Sequence, residues 1–107
     1  MILLQYSVVL VNLNPTVGSE IQKTRPCVIL SPNELNFYLN TVIIAPMTSS
    51  PKNYPTRVKV NHNEQVGWIA LDQIRTIDKV RIIKTFNPLT TKEIERCKKV
   101  LKELLVD

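Results

Sequence analysis

The sequence contains few of the residues that carry redox or metal chemistry. It has two cysteines and one histidine among 107 residues. Cys27 and Cys97 lie far apart in apolar surroundings, without a nearby histidine or a C-x-x-C spacing, so we expect buried free thiols rather than metal or redox work. His62 lacks the partners that a metal site or a catalytic triad needs, and it is assigned no catalytic role. We therefore expect neither a metal site nor a cofactor.

Long apolar runs, repeats and low-complexity segments are also missing. No run is long enough to span a membrane, and the start, Met1-Ile2-Leu3-Leu4-Gln5, lacks the basic residues and long apolar stretch of a signal peptide. We therefore expect a cytoplasmic protein with one domain covering residues 1–107. The net charge of +5 favours a polyanionic partner, either nucleic acid or an acidic protein segment, and charge does not decide between them.

Short apolar and β-branched runs predict five or more strands. They cover residues 7–13, 27–30, 41–45, 56–61, 67–71 and 80–84. Pro46 is expected to end the third of these strands, and residues 32–37 to form a turn or one helical turn. With only two glycines and with prolines at strand ends, the pattern predicts a mainly β (α+β) fold: a small, strongly curved antiparallel sheet or partial barrel with a C-terminal helix.

The clearest helix signal lies near the C-terminus. Thr90 can cap the helix with Glu93 reaching back, and Leu89 and Ile94 stand at hydrophobic-staple positions. Apolar residues at helical spacing predict the face that closes the core: Ile94, Cys97, Leu101, Leu104 and Leu105. The opposite, solvated face carries Lys92, Arg96, Lys99 and Lys102.

Two polar stretches are candidates for function. Glu20, Lys23 and Arg25 precede a predicted buried strand, although from the loop alone an ordinary exposed ion pair is the favoured interpretation of these charges. The loop after the third strand carries hydroxyls, Lys52 and Tyr54, which suit phosphate contact and base stacking, although a plain surface turn has the same composition. The alternation in residues 56–61 predicts that Arg57 and Lys59 point to solvent together as a basic strip.

Motifs along nearly the whole chain carry a family resemblance. In order they are Pro15-x-x-Gly18-Ser19-Glu20, Lys23-Thr24-Arg25-Pro26-Cys27-Val28-Ile29-Leu30-Ser31-Pro32, Pro46-Met47-Thr48-Ser49 and Leu71-Asp72-Gln73-Ile74-Arg75-Thr76-Ile77-Asp78. Together they resemble the MazF/PemK family of toxin endoribonucleases. The resemblance implies the partial SH3-like barrel of the CcdB/MazF plasmid-maintenance toxins, a homodimer, metal-independent cleavage of single-stranded RNA at short motifs, and a cognate antitoxin. An acidic antitoxin, disordered until bound, would fit a chain of this charge.

The resemblance also implies the site. Arg25 and Thr48 match the family's catalytic arginine and threonine, Glu20 matches an acidic motif residue, and Asp72 matches an aspartate that some members use. Two positions depart from the pattern. Tyr6-Ser7 stands where the family usually has Gly-Asp, and Ala70 stands where some relatives carry a second arginine, so more of the chemistry falls on Arg25.

The expected chemistry is attack of an RNA 2′-hydroxyl on the adjacent phosphorus. Arg25 would stabilise the phosphorane, Thr48 would hold a phosphoryl oxygen, and Glu20 is the candidate general base because it shares a loop with Arg25. Candidate RNA-binding residues are Lys23, Ser49, Lys52, Asn53, Tyr54, Asp72 and Gln73. For the dimer interface, we expect apolar residues near Trp68 or Ile74.

Two other functions remain possible from the residues alone. A gyrase-inhibiting toxin of the same fold would bind a protein, but its relatives end in a tryptophan-containing tail, whereas this chain ends Glu103-Leu104-Leu105-Val106-Asp107. A non-catalytic nucleic-acid-binding barrel would need only the basic strip, and it leaves the combination of Glu20, Arg25 and Thr48 unexplained.

Overall fold

An antiparallel sheet organises the chain. In a computed structural model that describes residues 2–50 and 53–106, the described residues form seven strands. They are β1 (Ser7–Asn12), β2 (Thr24–Ile29), β3 (Thr41–Thr48), β4 (Arg57–His62), β5 (Gln65–Ala70), β6 (Arg75–Asp78) and β7 (Ile82–Pro88). The order is β4-β5-β3-β2-β1-β7, and β6 pairs with the first half of β3. The predicted curved antiparallel sheet with a C-terminal helix is confirmed.

The middle parts of the central strands are apolar because the curled sheet buries both of its faces there. Successive residues of a strand point to opposite faces, so Val9 and Val11 enter one core cluster while Val8 enters the other. In the same way Ile44 joins the first cluster and Ala45 the second. Continuous apolar runs, rather than alternating ones, are the expected pattern for strands buried on both sides.

The prediction that Pro46 ends the third strand is wrong. β3 continues through Pro46, which pairs with Cys27 of β2, and ends at Thr48. On its other edge, β3 pairs with β6 up to Ile44 and with β5 from Met47 onward. Pro46 falls between these two partners, where a residue without an N–H group interrupts no ladder. Thr48 is therefore part of a strand and not of a loop.

Other strand bounds also differ from the predicted ones. β2 begins at Thr24, so Arg25 belongs to the strand, where it pairs with Val11. The last strand begins at Ile82 because Val80 lies in a 3₁₀ turn. The Val80 backbone N–H donates to the Asp78 carboxylate at 2.9 Å in this turn. β6 was not predicted as a strand, and its four residues pair with β3.

A tight hairpin connects β4 and β5. Its two turn residues, Asn63 and Glu64, both have positive φ angles, of 49° and 63°. Positive φ at both positions is typical of the two-residue turn whose twist matches antiparallel strands. The turn fixes the register that pairs His62 with Gln65.

Two helices pack against the sheet. α1 (Asn33–Tyr38) is the predicted short helical turn, and α2 (Thr91–Leu101) continues into a wider turn at Lys102–Val106. The predicted cap is confirmed, because the Thr90 hydroxyl accepts from the Glu93 amide at 3.2 Å and the Thr90 amide donates to the Glu93 carboxylate at 2.9 Å. Among the described residues, no helix is both long and apolar enough to cross a membrane.

The apolar face of α2 covers the second core cluster only in part. Cys97 is fully buried, whereas Leu104 and Leu105 are 41% and 67% exposed. The prediction that both leucines close the core is wrong, because no other described element covers the last turn. Burial raises the pKa of the Cys97 thiol to about 11 and that of Cys27 to about 12. Both are free cysteines, as predicted, and both stay protonated at neutral pH.

Candidate functional site

Strand register places Arg25 and Thr48 side by side. β2 and β3 pair as Ile29 with Ile44 and Cys27 with Pro46. Continuing this register by two residues puts Arg25 opposite Thr48. Side chains two residues apart on a strand share a face, so the register directs both side chains to the same side of the sheet. The two predicted catalytic residues therefore come together through the pairing of β2 with β3.

Both residues line a cleft of about 220 Å³, which we call the Arg25 cleft. One wall comes from the start of β2 and the end of β3, and the other comes from the β4–β5 hairpin. The lining residues are Thr24, Arg25, Pro26, Met47, Thr48, Ser49, His62, Gln65, Val66 and Gly67. The cleft is thus built mainly on strands, which hold side chains more rigidly than loops do.

Arg25 is a half-buried cation. Its Nε donates to the Gln22 carbonyl at 2.9 Å, which fixes the plane of the guanidinium. Among residues 2–50 and 53–106 the sole ion pair joins Arg57 and Asp72. The alternative that Glu20, Lys23 and Arg25 form an ordinary ion pair is therefore not supported in the described part of the chain. Arg25 keeps four further N–H donors for an anion.

The hydroxyl of Thr48 is oriented by the chain that follows it. Its oxygen accepts a hydrogen bond from the Ser50 amide at 3.1 Å. Because the oxygen accepts there, the hydroxyl proton can point into the cleft and donate. Ser49, a predicted RNA contact, is exposed and lines the same cleft.

Glu20 lies in a different cleft from Arg25. The Glu20 cleft, of about 410 Å³, is lined by Val17, Ser19, Glu20, Ile21, Pro46, Asp72, Gln73, Ile74 and Arg75. The Glu20 carboxylate is exposed and accepts from the Val17 amide at 3.2 Å. Pro46 lines this cleft while Met47 and Thr48 line the other, so the two clefts adjoin along β3. The structure does not bring Glu20 into contact with Arg25.

Arg57 and Asp72 form a two-pronged ion pair. The Arg57 Nε donates to Asp72 Oδ1 at 2.8 Å and its Nη2 donates to Oδ2 at 3.1 Å. The Arg57 side chain is only 8% exposed because it contacts the Asp72 carboxylate, whereas Lys59 is exposed. The prediction that Arg57 and Lys59 point to solvent together as a basic strip is therefore wrong. Partial burial raises the pKa of Asp72, but hydrogen bonds from Arg57, its own backbone and Thr56, together with the Arg57 charge, lower it below its ordinary value.

The other predicted RNA contacts are spread over two loops. Lys23 ends the loop between β1 and β2, where its amide donates to the Asn14 side chain and its own side chain is exposed. Asn53 and Tyr54 are exposed between β3 and β4, and Lys52 lies outside the described residues. Gln73 instead uses its side-chain oxygen to accept from the Ile21 amide at 2.7 Å.

His62 was given no role from the sequence, yet it lines the Arg25 cleft. Its ring packs edge-on against Phe86 with centroids 4.8 Å apart. Burial lowers the pKa of His62, and the nearby Glu93 charge offsets this effect only in part. The alternation of β4 was the available signal, because it places His62 on the same face as the buried Val58 and Val60.

The lowered pKa of His62 predicts a loss of stability in mild acid. The unfolded chain takes up a proton near pH 6.5, whereas the folded chain takes it up only at a lower pH. Stability therefore falls as the pH drops below about 6.5. His62 is the only histidine, so His62→Gln should flatten this dependence. Urea midpoints at pH 7.5 and 5.5 measure it, and an equal drop in wild type and variant would contradict the prediction.

Comparisons with known sequences identify a family over almost the whole chain. A family model described as the PemK-like, MazF-like toxin of type II toxin-antitoxin systems matches residues 4–105. The endoribonuclease MazF of Staphylococcus saprophyticus is 34% identical over 94 residues, which cover 82% of this chain and 78% of that protein. The endoribonuclease toxin MazF of Escherichia coli is 36% identical over 67 residues. That match covers 63% of this chain and 60% of the relative, so it spans less than two thirds of the relative's length.

Solved structures share the fold. A crystal structure of MazF from Deinococcus radiodurans superposes with a TM-score of 0.86 at 25% identity, over 100% of this chain and 99% of that one. An endoribonuclease in complex with its cognate antitoxin from a mycobacterial species superposes with a TM-score of 0.81 at 20% identity, over 96% and 94% of the two chains.

Proposed function

The chain belongs to the family of PemK-like, MazF-like toxins of type II toxin–antitoxin systems, and on this premise we propose that it is an endoribonuclease that cleaves single-stranded RNA without a metal ion. The observation that carries the proposal is the pairing of β2 with β3, which brings Arg25 and Thr48 into one cleft. A strong cation beside a hydroxyl donor is suited to a phosphodiester. The substrate we propose is messenger RNA, which places the protein in the cytoplasm.

The reaction uses a nucleophile from the RNA itself. The 2′-hydroxyl oxygen bonds to the adjacent phosphorus, and the bond from phosphorus to the 5′-oxygen breaks. The 5′-oxygen leaves with the bonding electron pair and takes a proton from water, so the products are a 2′,3′-cyclic phosphate and a free 5′-hydroxyl. Arg25 donates to the equatorial oxygens, whose charge grows as the phosphorane forms, and Thr48 donates to one of them. Donors that are already fixed, as by the Gln22 carbonyl for Arg25, need little reorganisation during the reaction.

Proton removal from the 2′-hydroxyl is assigned to Glu20. Its carboxylate is exposed and makes one hydrogen bond, to the Val17 amide, so a substrate hydroxyl can reach it. The assignment requires the loop of residues 13–23 to carry Glu20 from its own cleft towards Arg25 when RNA binds. His62 is the other ionisable group, besides Arg25, among the described residues that line the Arg25 cleft, and it is the alternative base.

Single-stranded RNA would bind along the surface that joins the two clefts. Lys23 offers charge to phosphates, Ser49 and Asn53 offer hydrogen bonds, and Tyr54 offers a ring for base stacking. Lys52, outside the described residues, is proposed as a phosphate contact from its charge alone. Tyr54 is 52% exposed, so its ring is available to a base. These loops are expected to set which short sequences are cut.

An apolar groove is the surface we propose for the homodimer. It is lined by Tyr6, Leu30, Ser31, Pro32, Ile43, Ile74, Lys98, Leu101, Lys102, Leu105 and Val106, and it has a volume of about 490 Å³. Ile74 was one of the two predicted positions for this interface. Leu105 lines the groove and is 67% exposed, and a second copy would remove it from water.

We also propose an antitoxin whose binding segment is acidic and disordered until bound. The net charge of +5 favours such a segment. Arg25 and Lys23 lie where an acidic segment that blocks RNA would bind. The structure of a related endoribonuclease with its cognate antitoxin provides the precedent.

The test is incubation of the purified protein with a long single-stranded RNA in EDTA. We expect discrete cuts whose new ends carry free 5′-hydroxyl groups, because the 2′-hydroxyl reaction needs no metal. Glu20→Gln should slow these cuts without moving them. If the wild type leaves the RNA intact, the proposal fails and inhibition of gyrase becomes the next assay. If Glu20→Gln cuts at the wild-type rate, Glu20 is not the base.

A further inference from the structure

One short turn contacts both of the loops assigned to RNA. The 3₁₀ turn Leu71–Gln73 follows β5 and precedes β6. We propose that this turn supports both of the RNA-binding loops, and this inference rests on the proposed function. Asp72 and Gln73 then act as positioning residues rather than as RNA contacts. The sequence alone had placed both residues among the RNA contacts.

The turn is fixed to the chain that follows the Tyr54 loop. Leu71 is fully buried, and its amide donates to the Thr56 carbonyl at 3.1 Å. The Thr56 hydroxyl donates to Asp72 Oδ1 at 3.1 Å. Together with the two bonds from Arg57, these contacts tie residues 56 and 57 to residues 71 and 72 by four hydrogen bonds.

Arg57 transmits this support to Tyr54. Its guanidinium carbon lies 5.2 Å from the centre of the Tyr54 ring, and its amide donates to the Tyr54 carbonyl at 3.0 Å. A guanidinium held flat by a two-pronged carboxylate can stack on an aromatic face. Asp72 thus holds Arg57, and Arg57 holds the ring on which a base would stack.

Gln73 supports the other loop. Its side-chain oxygen accepts from the Ile21 amide at 2.7 Å, and its side-chain nitrogen donates to the Ser19 carbonyl at 3.5 Å. These two contacts flank Glu20 on either side. Both polar atoms of the Gln73 side chain therefore form hydrogen bonds within the protein, and these bonds help to position Glu20.

Charge supports the same assignment for Asp72. A free carboxylate at this site would repel the phosphates of RNA. Paired with Arg57, it adds no net charge to the surface. Both carboxylate oxygens of Asp72 already accept hydrogen bonds, so this side chain is better suited to positioning Arg57 than to binding RNA directly.

A double-mutant cycle with Tyr54 tests the role of Asp72. Tyr54→Ala and Asp72→Asn should each raise KM for a short RNA substrate, by about 5- to 100-fold for the loss of one stacked base. Adding Asp72→Asn to Tyr54→Ala should raise KM no further, because Asp72 acts through Tyr54. Lys59→Ala is the control, because Lys59 is an exposed residue of β4. The fold-changes in KM of Lys59→Ala and Tyr54→Ala should multiply in the double variant. If the fold-changes in KM of Asp72→Asn and Tyr54→Ala multiply in the double variant, the proposal is overturned.

Hydrogen exchange in the RNA-free protein tests the support without any cleavage. Gln73→Ala should speed exchange at the Ile21 amide by about 2- to 10-fold, because it removes the acceptor of that amide. Asp72→Asn should also speed exchange at the Arg57 amide, because a released Arg57 side chain loosens the turn in which this amide donates to the Tyr54 carbonyl. Unchanged exchange at both amides would overturn the proposal even if the wild type cleaves RNA. Faster exchange in a protein that does not cleave RNA would support the turn's role and refute the proposed activity.

Discussion

Replacing Arg25 with alanine should abolish RNA cleavage, with a loss of about 10³-fold in kcat. Among the described residues that line the cleft with Thr48, only Arg25 carries a strong cation. Removing a donor that faces developing charge costs about 10²–10³-fold, and removing an arginine that neutralises a phosphoryl transition state costs about 10³–10⁵-fold. Single-turnover cleavage of a fixed RNA substrate by wild type and variant measures the effect.

Two further variants separate the role of Arg25 from charge and from folding. Arg25→Lys keeps the charge but loses the planar fork of donors, so it should recover only part of the activity. Arg96→Ala, on the exposed face of α2, removes the same charge at a distance and should cut normally. The melting temperature of Arg25→Ala should stay near the wild-type value, because the side chain makes one hydrogen bond, to a loop carbonyl. Cleavage by Arg25→Ala at the wild-type rate would refute the assignment.

Replacing Glu93 with alanine should destabilise the fold more than any surface substitution on α2. Glu93 is 6% exposed, and its two carboxylate oxygens accept from the Thr90 amide at 2.9 Å and the Asn61 amide at 3.0 Å. It therefore joins the start of α2 to the end of β4. Hydrogen bonds to a charged group contribute about 1.5–3 kcal/mol each, so we expect a loss of about 3 kcal/mol in the free energy of unfolding.

Thermal and urea unfolding measure the effect of Glu93. For a chain of this size the expected loss lowers the melting temperature by about 10–15 °C. Glu95→Ala is the matched control, because Glu95 is exposed on the same helix and should change stability by less than about 0.5 kcal/mol. Equal melting temperatures for the two variants would show that the contact with Asn61 contributes nothing. His62 follows Asn61, so Glu93→Ala should also distort the Arg25 cleft.

Local signals predicted the parts of this fold that local interactions determine. The cap at Thr90 and Glu93 depends on residues three apart, and the structure contains it as predicted. Apolar runs identified the central strands, because a strand segment buried on both faces has consecutive apolar residues that are visible in the sequence. The family motifs added Arg25 and Thr48, which no periodicity singles out.

Errors arose where a distant partner decides the outcome. Proline normally ends a strand, but at Pro46 the neighbouring strands change on one edge of β3, and the strand continues. Alternation correctly placed Arg57 beside Lys59 on one face, yet it carries no information about Asp72, fifteen positions away. Whether Glu20 shares a cleft with Arg25 depends likewise on loop conformation and not on their closeness in sequence.

The pairing of β1 with β7 has a consequence for how the protein is made in the cell. Val9 of the first strand lies opposite Thr85 of the seventh, so this pair forms only after all the strands between them have been synthesised. The strands that carry Arg25 and Thr48 are synthesised well before then, but the sheet beneath them has an open edge until β7 arrives. Pairing between such distant segments is slow to form. A nascent copy therefore cannot complete the sheet beneath Arg25 and Thr48 until β7 has left the ribosome, so the order of synthesis delays the support of this cleft.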